Sequence, residues 1–171
     1  LGDVYKRQEQ GSGYTVVDAR GKKITFASAP KRIVCLNYSA TDILTDLIPT
    51  DRIIATDMWA REEDLSNCYE KLKGIPVCEN NPEQIMKFKP DIVILTDGRA
   101  NELADTLDSV GIKTCVLRQP KTIQEIPDYI KIVGEVADTK AAADSLAEKV
   151  AAYIKASAGG QKIESVLPVS Y

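Results

Sequence analysis

The fold is decided by the stretch Pro30-Lys31-Arg32-Ile33-Val34-Cys35-Leu36-Asn37-Tyr38-Ser39-Ala40-Thr41-Asp42-Ile43-Leu44. Its apolar run, which ends at Leu36, predicts a strand buried on both faces, as in a parallel sheet. Ser39 and Asp42 predict a helix start, because both side chains can accept hydrogen bonds from free backbone N–H groups. A strand that turns directly into a helix places residues 37–39 at the carboxyl end of the sheet, the edge where open α/β folds bind ligands.

The composition argues against several classes of function. The chain has 171 residues, enough for one well-buried domain. It carries 22 basic and 25 acidic side chains, a net charge of −3 that gives no reason to expect a nucleic acid partner. Histidine is absent from the sequence, which argues against a His-based metal receptor and against any triad that needs imidazole. We therefore expect no cofactor, no metal centre and no catalytic residue.

Strand and helix signals alternate along the rest of the chain. A β-hairpin is predicted over residues 14–26. Further strands are predicted at 32–36, 52–56, 91–95 and 113–117, and helices at 39–47, from Asn81, at 101–110, after Thr122 and at 138–157. Thr122 and Glu125 have the spacing of a capping box. The predicted packing stripe of the last helix is Leu146, Val150 and Tyr153, with Ala143, Ala147 and Ile154 beside it. This rhythm predicts a Rossmann-like α/β fold, a parallel sheet with flanking helices.

The four cysteines fall into two pairs of positions. Cys35 and Cys115 lie inside apolar strand signals, where cysteine behaves as a small hydrophobic residue. Cys68 and Cys78 are ten residues apart and could pair in an oxidising compartment, but the sequence leaves that disulfide open.

Four motifs together carry a resemblance. They are the opening stretch 30–44, Asn81-Pro82-Glu83-Gln84-Ile85, Lys89-Pro90-Asp91-Ile92-Val93-Ile94 and Leu107-x-x-x-Gly111-Ile112. In order and spacing they resemble the periplasmic substrate-binding proteins of ABC importers for iron-siderophores, haem and cobalamin. The resemblance implies one lobe of a bilobal receptor that encloses a ferric siderophore, haem or corrinoid between its lobes and docks on an ABC permease. It also implies a protein without catalysis, monomeric when full length, and either periplasmic or lipid-anchored at the cell surface.

The resemblance also divides the chain. Residues 14–137 are expected to form the N-terminal lobe and residues 138–158 the helix that connects the lobes. Residues 159–171 are expected to begin a truncated second lobe or to be a non-native tail. Residues 1–13 are expected to be a non-native or linker segment, because Asp3-Val4-Tyr5-Lys6-Arg7-Gln8 resembles a translated sequencing adapter.

The candidate ligand-binding residues follow the predicted strands. They are Tyr38, Met58, Trp59, Asp97, Arg99 and Arg118. Trp59 is the single tryptophan, and its ring could stack on a corrin, porphyrin or catecholate ring; the alternative is packing onto the first helix. Tyr38 faces the cleft or packs locally.

The two arginines and the aspartate have their own alternatives. Arg99 and Arg118 could hold carboxylates or an anionic ferric complex through paired N–H donors, or lie solvated on the surface. Asp97 precedes Gly98 and could simply form a turn.

Glu83 is expected to serve a different partner. In the resembled family a glutamate at this position after Asn81 pairs with arginines of the membrane permease, and an exposed acidic residue would orient docking. The alternative is a glutamate that only stabilises the first turn of a helix.

Two enzyme classes compete with the receptor. A nucleotide- or cofactor-dependent enzyme on a doubly wound sheet would need a glycine-rich first turn, which Asn37-Tyr38-Ser39-Ala40 is not. A metallocluster or thiol enzyme would use Cys35 or Cys115, but their places inside strands argue against it.

Overall fold

Two sheets organise the protein in a computed structural model that describes residues 13–61, 70–98 and 100–158. An antiparallel hairpin is formed by β1 (Tyr14–Val17) and β2 (Lys23–Phe26). A four-stranded parallel sheet is formed by β3 (Ile33–Cys35), β4 (Ile53–Thr56), β5 (Ile92–Thr96) and β6 (Thr114–Leu117). Its strand order is β4-β3-β5-β6, and this confirms the predicted Rossmann-like parallel sheet.

Helices follow the strands in the predicted rhythm. They are α1 (Tyr38–Leu47), α2 (Pro82–Lys87), α3 (Ala100–Ser109), α4 (Ile126–Val136) and α5 (Lys140–Ala158). Short 3₁₀ turns occur at Thr50–Arg52, Trp59–Arg61, Glu70–Leu72 and Ile123–Glu125.

The parallel sheet is covered on both faces. Alternate residues of β3 point to opposite sides, so Ile33 and Cys35 join one core while Val34 joins the other. The first core contains α1, α4 and the hairpin, and the second contains α2 and α3. This double cover explains why β3, β5 and β6 are almost continuously apolar rather than alternating.

The N-terminus of α1 differs from the prediction. Oδ1 of Asn37 accepts the backbone N–H groups of Ser39 and Ala40 at 2.9 and 3.2 Å. Asn37 is therefore the cap, and the prediction that Ser39 caps this helix was wrong. The helix starts one residue earlier than expected, at Tyr38, and asparagine is among the best capping residues.

The start of α4 also departs from the sequence pattern. Thr122 makes no capping hydrogen bond with its side chain, so the predicted capping box was wrong. The carboxylate of Glu125 instead accepts the backbone N–H of Lys121 at 2.7 Å. The 3₁₀ turn Ile123–Glu125 precedes α4, and Pro127 lies in the first turn of that helix, where its missing N–H costs no intrahelical bond.

The long helix α5 packs on α4. Its 19 residues would span about 28 Å at 1.5 Å per residue. Its buried residues are Ala143, Ala147, Ile154 and Ser157, with Leu146 and Val150 partly buried beside them. Tyr153 is 51% exposed, so its predicted place in the packing stripe was wrong.

An ionic cluster ties the hairpin to α3 and β6. The side chain of Asp18 is fully buried and accepts hydrogen bonds from Nε of Arg20 and the backbone N–H of Val116. Arg20 also donates to Asp108 at 2.9 Å, and Thr114 donates to the other Asp108 oxygen at 2.7 Å. Burial raises the pKa of Asp108, but donors from Lys22, Thr114 and Arg20 outweigh it and leave that pKa lowered.

Candidate ligand-binding cleft

An open cleft of about 1110 Å³ lies at the carboxyl edge of the parallel sheet. Strand β3 has β4 on one side and β5 on the other, so the chain reverses its direction of progress across the sheet at this strand. Such a switch point leaves a crevice between the loops that leave the two neighbouring strands. The cleft is lined by Leu36, Asn37, Tyr38, Asp57, Met58, Trp59, Val77, Cys78, Glu79, Asn80, Leu95, Thr96, Asp97, Ala100, Gln119 and Pro120.

A side-chain network fixes the floor of the cleft. Nδ2 of Asn37 donates to Oγ1 of Thr96 at 2.7 Å and to Oε1 of Gln119 at 3.1 Å. Nε2 of Gln119 donates in turn to the hydroxyl of Ser39 at 3.0 Å. These bonds connect the exits of β3, β5 and β6, and Asn37 is 97% buried beneath them. The floor is therefore held by polar contacts that are already satisfied within the protein.

One wall of the cleft is the turn that follows β4. Oδ1 of Asp57 accepts the backbone N–H of Ala60 at 3.0 Å, which holds the turn against the sheet. Ala60 is fully buried in the core, whereas Met58 and Trp59 are 53% and 52% exposed. The small alanine therefore makes the packing contact with the core, and the tryptophan ring is left largely exposed at the cleft.

The described lining carries acidic side chains at three places. They are Asp57, Glu79 and Asp97. Burial raises the pKa of Asp57, and the hydrogen bond from the Ala60 N–H partly offsets that rise. Glu79 accepts a long hydrogen bond of 3.4 Å from the side-chain amide of Gln84.

The structure brings together four of the predicted ligand-binding residues. Tyr38, Met58, Trp59 and Asp97 all line the cleft. Arg118 lines a neighbouring cavity of about 520 Å³ instead, and its Nε lies 3.9 Å from Oδ2 of Asp97.

Two further residues, Arg99 and Glu83, were also predicted as functional. Arg99 lies outside the described residues. Glu83 does not line the cleft; it is exposed in the first turn of α2, where Oδ1 of Asn81 accepts its backbone N–H at 2.8 Å.

One wall of the cleft was not predicted from the sequence. Residues 77–80 line it although they belong to no helix or named strand. An isolated parallel bridge between Thr56 and Val77 places them, with the N–H of Cys78 donating to the Thr56 carbonyl at 2.8 Å. Gln119 was also missed, although its position directly after a predicted strand was the available signal.

The cysteine thiols of the described chain are buried. Cys78 borders the cleft, and burial followed by the charge of Glu79 raises its pKa to about 11. Burial raises the pKa of Cys115 to about 12. Neither thiol is activated as a nucleophile. Cys68 lies outside the described residues, so its pairing with Cys78 stays open.

Metal ligation and membrane insertion find no support in the described residues. Within 13–61, 70–98 and 100–158, no cluster of three or more Cys, Asp or Glu side chains has the arrangement of a metal site. Across the same ranges, none of the helices combines the length and apolar character needed to cross a membrane.

Comparison with known families identifies this architecture. A family model described as periplasmic binding protein matches residues 33–159. The chain belongs to the periplasmic binding protein family. The match starts at β3 and ends just beyond α5, so it includes every strand whose exit lines the cleft.

Individual relatives give the same picture. An uncharacterised ABC transporter substrate-binding lipoprotein of Bacillus subtilis, YvrC, is 24% identical over 82% of this chain and 45% of its own length. A cobalamin-binding protein of Halobacterium salinarum is 25% identical over 75% of this chain and 35% of its own. The crystal structure of the haem-binding protein HmuT superposes with a TM-score of 0.70 at 20% identity, covering 86% of this chain and 48% of that one. The chain thus spans less than half the length of these relatives.

Proposed function

We propose that this chain is the N-terminal lobe of the substrate-binding receptor of an ABC importer. The observation that carries the proposal is the exposed Trp59, which lines the same open cleft as Tyr38 at the switch point of the sheet. Ligand pockets of α/β proteins occur at this place, and an exposed aromatic ring there provides a stacking surface. The proposed ligand is a ferric siderophore, haem or corrinoid, in keeping with relatives that bind cobalamin and haem.

The domain organisation follows from the same proposal. Residues 14–137 would form the lobe and residues 138–158 the helix that leads toward a second lobe. Half of the ligand's contacts would then come from that second lobe. The receptor would act outside the cytoplasm, either in a periplasm or lipid-anchored at the cell surface, as the B. subtilis lipoprotein is.

The proposed receptor binds its ligand without transforming it. Cys78 is the thiol that lines the described part of the cleft, and burial raises its pKa to about 11. The remaining polar side chains of the floor are bonded to one another through Asn37 and Gln119. A floor whose polar side chains are hydrogen-bonded to one another favours recognition of a ligand by its shape and by stacking.

Tryptophan fluorescence tests the proposal directly, because Trp59 is the single tryptophan of the chain. Haem, cobalamin or ferric siderophores should quench it in a saturable way, and nucleotides should not. Calorimetry should show weaker binding by Trp59→Ala, whereas Tyr153→Ala, which removes an equally exposed aromatic ring from α5, should bind as the parent chain does. Saturable quenching by a nucleotide, or no response to any chelate when this lobe is joined to its second lobe, would contradict the receptor.

Glu83 is proposed as the contact of this lobe with the permease. It is exposed, lies outside the cleft and stands in the first turn of α2. An exposed carboxylate at such a place orients an encounter with arginines on a partner and raises the association rate more than the final affinity.

A charge reversal separates docking from helix stability. Glu83→Arg should slow association with the permease of the same transport system in nanodiscs, and ligand quenching of Trp59 should not change. Glu102→Arg is the matched control, because Glu102 is also acidic and exposed in the first turn of a helix. Equal effects of both variants on docking would contradict a specific role for Glu83.

A further inference from the structure

The charged groups of the cleft are of one sign wherever the structure describes them. Asp57, Glu79 and Asp97 line it, and its described lining contains neither lysine nor arginine. Arg118 approaches from the side, but it is bordered by the neighbouring cavity and its Nε lies 3.9 Å from the Asp97 carboxylate. An anionic ligand would therefore meet three carboxylates on this half of the cleft.

The hydrogen-bonding groups show the same bias. Both N–H groups of the Asn37 amide are taken up by Thr96 and Gln119. The Gln119 amide donates to Ser39. These three N–H groups are thus used within the protein, whereas an ionised carboxylate acts only as an acceptor. The charged groups that the described lining offers to a ligand are therefore all acceptors.

The exposed aromatic side chain of the cleft favours the same kind of ligand. Trp59 is 52% exposed and lines the same cleft as the carboxylates. A tryptophan face attracts cations as well as flat apolar groups. Carboxylates and an exposed indole in one cleft are complementary to a positively charged or N–H-rich surface.

We infer that this half of the cleft selects a neutral or cationic chelate whose ammonium or amide N–H groups face Asp57, Glu79 and Asp97 and whose flat or apolar part lies on Trp59. The inference rests on the proposed receptor function and specifies the ligand class within it. It excludes as preferred ligands the strongly anionic catecholate complexes and porphyrins that present free carboxylates to this wall.

Matched probes of different charge test the inference. Ferrioxamine B carries a free ammonium group, and its N-acetylated form has the same iron centre without that charge. Trp59 quenching should give ferrioxamine B about two- to fivefold tighter binding than the acetylated form at low salt, and the difference should shrink as salt is added. Cobinamide, whose periphery carries amides, should bind more tightly than haem.

Charge-neutralising variants locate the effect. Glu79→Gln and Asp97→Asn should each weaken ferrioxamine B binding by about two- to fivefold while leaving the acetylated form nearly unchanged. Glu148→Gln changes the net charge equally but lies exposed on α5, away from the lining, and should behave as the parent chain.

The possible outcomes separate the two proposals. Tighter saturable quenching by ferric enterobactin or haem than by the cationic probes would overturn the ligand class but leave the receptor standing. Equal affinities for ferrioxamine B and its acetylated form, with neither affinity changed by Glu79→Gln or Asp97→Asn, would also contradict the ligand class but not the receptor. No quenching by any chelate in the two-lobed protein would overturn the receptor itself.

Discussion

The side-chain amide of Asn37 donates to Oε1 of Gln119 at 3.1 Å and so joins the exits of β3 and β6, which are 82 residues apart in the chain. The same amide uses its oxygen to cap α1. One side chain therefore sets both the start of a helix and the floor of the cleft.

Asn37 should be among the most sensitive polar positions of the protein. Asn37→Ala should lower the free energy of unfolding by about 2–3 kcal/mol, because it removes a helix cap and leaves buried partners without hydrogen bonds. Asn37→Ser retains the cap but not the bonds to Thr96 and Gln119, and should lose less. Urea unfolding measures both, and equal losses would show that the bonds across the floor contribute little.

Gly134 should not tolerate a side chain. A Cβ at this position would lie 2.1 Å from Cβ of Ala143, where α4 meets α5. Gly134→Ala should lower the free energy of unfolding by about 1–3 kcal/mol, despite the better helix propensity of alanine. Thermal unfolding measures the change. Ala143→Gly in the same chain should recover part of it, and a purely additive double variant would argue against this contact.

Asp108 should make stability depend on acid pH. The pKa of Asp108 is lowered in the folded protein. Its contribution to the free energy of unfolding is therefore fully present above its ordinary pKa of 3.8, and it is lost as the pH falls through the folded-state pKa. Asp108→Asn should lower the free energy of unfolding by about 1.5–3 kcal/mol at pH 7, and the gap to the parent should narrow as the pH falls below 3.8. Asp105→Asn is the control, because Asp105 also contacts Arg20 but is 73% exposed and should change stability by less than about 1 kcal/mol. A gap of constant size in urea unfolding across this range would contradict the assignment.

Two tyrosine hydroxyls should respond in opposite directions. The Tyr129 hydroxyl is buried without a hydrogen bond of normal geometry, and only the nearby Asn37 side chain interacts with it weakly, so Tyr129→Phe should raise the free energy of unfolding by up to about 1 kcal/mol. The Tyr14 hydroxyl donates to the carbonyl of Val136 at 2.8 Å, and Tyr14→Phe should lower that free energy by about the same amount. Chemical denaturation of both variants provides the comparison, and a loss in Tyr129→Phe would contradict the unpartnered hydroxyl.

The layout of the fold was accessible from the sequence because its signals are local. Buried parallel strands require continuous apolar runs, so Ile92–Thr96 and Thr114–Leu117 were predicted to within a residue or two. The helix that begins after Asn81 was equally clear, since an asparagine cap and a proline in the first turn act on their immediate neighbours.

Features that depend on distant residues were not accessible in the same way. Whether Asn37 or Ser39 capped α1 was decided by where the helix begins relative to the sheet edge, and Asn37 also finds partners at Thr96 and Gln119. Arg118 lies near Asp97 and lines the neighbouring cavity, and both features depend on the three-dimensional structure. The wall at residues 77–80 is positioned by a single bridge to Thr56, and no periodic pattern in the sequence predicts such a bridge.

Both outer margins of the parallel sheet are closed by backbone from the same chain. Beside β6, the N–H of Ala19 donates to the carbonyl of Val116 at 2.8 Å. Beside β4, the N–H of Thr56 donates to Pro76 at 3.0 Å. Open strand margins invite pairing with another chain. Because backbone of the same chain occupies part of each margin, amino-acid changes in the loops above the sheet need not expose an edge that pairs with another molecule.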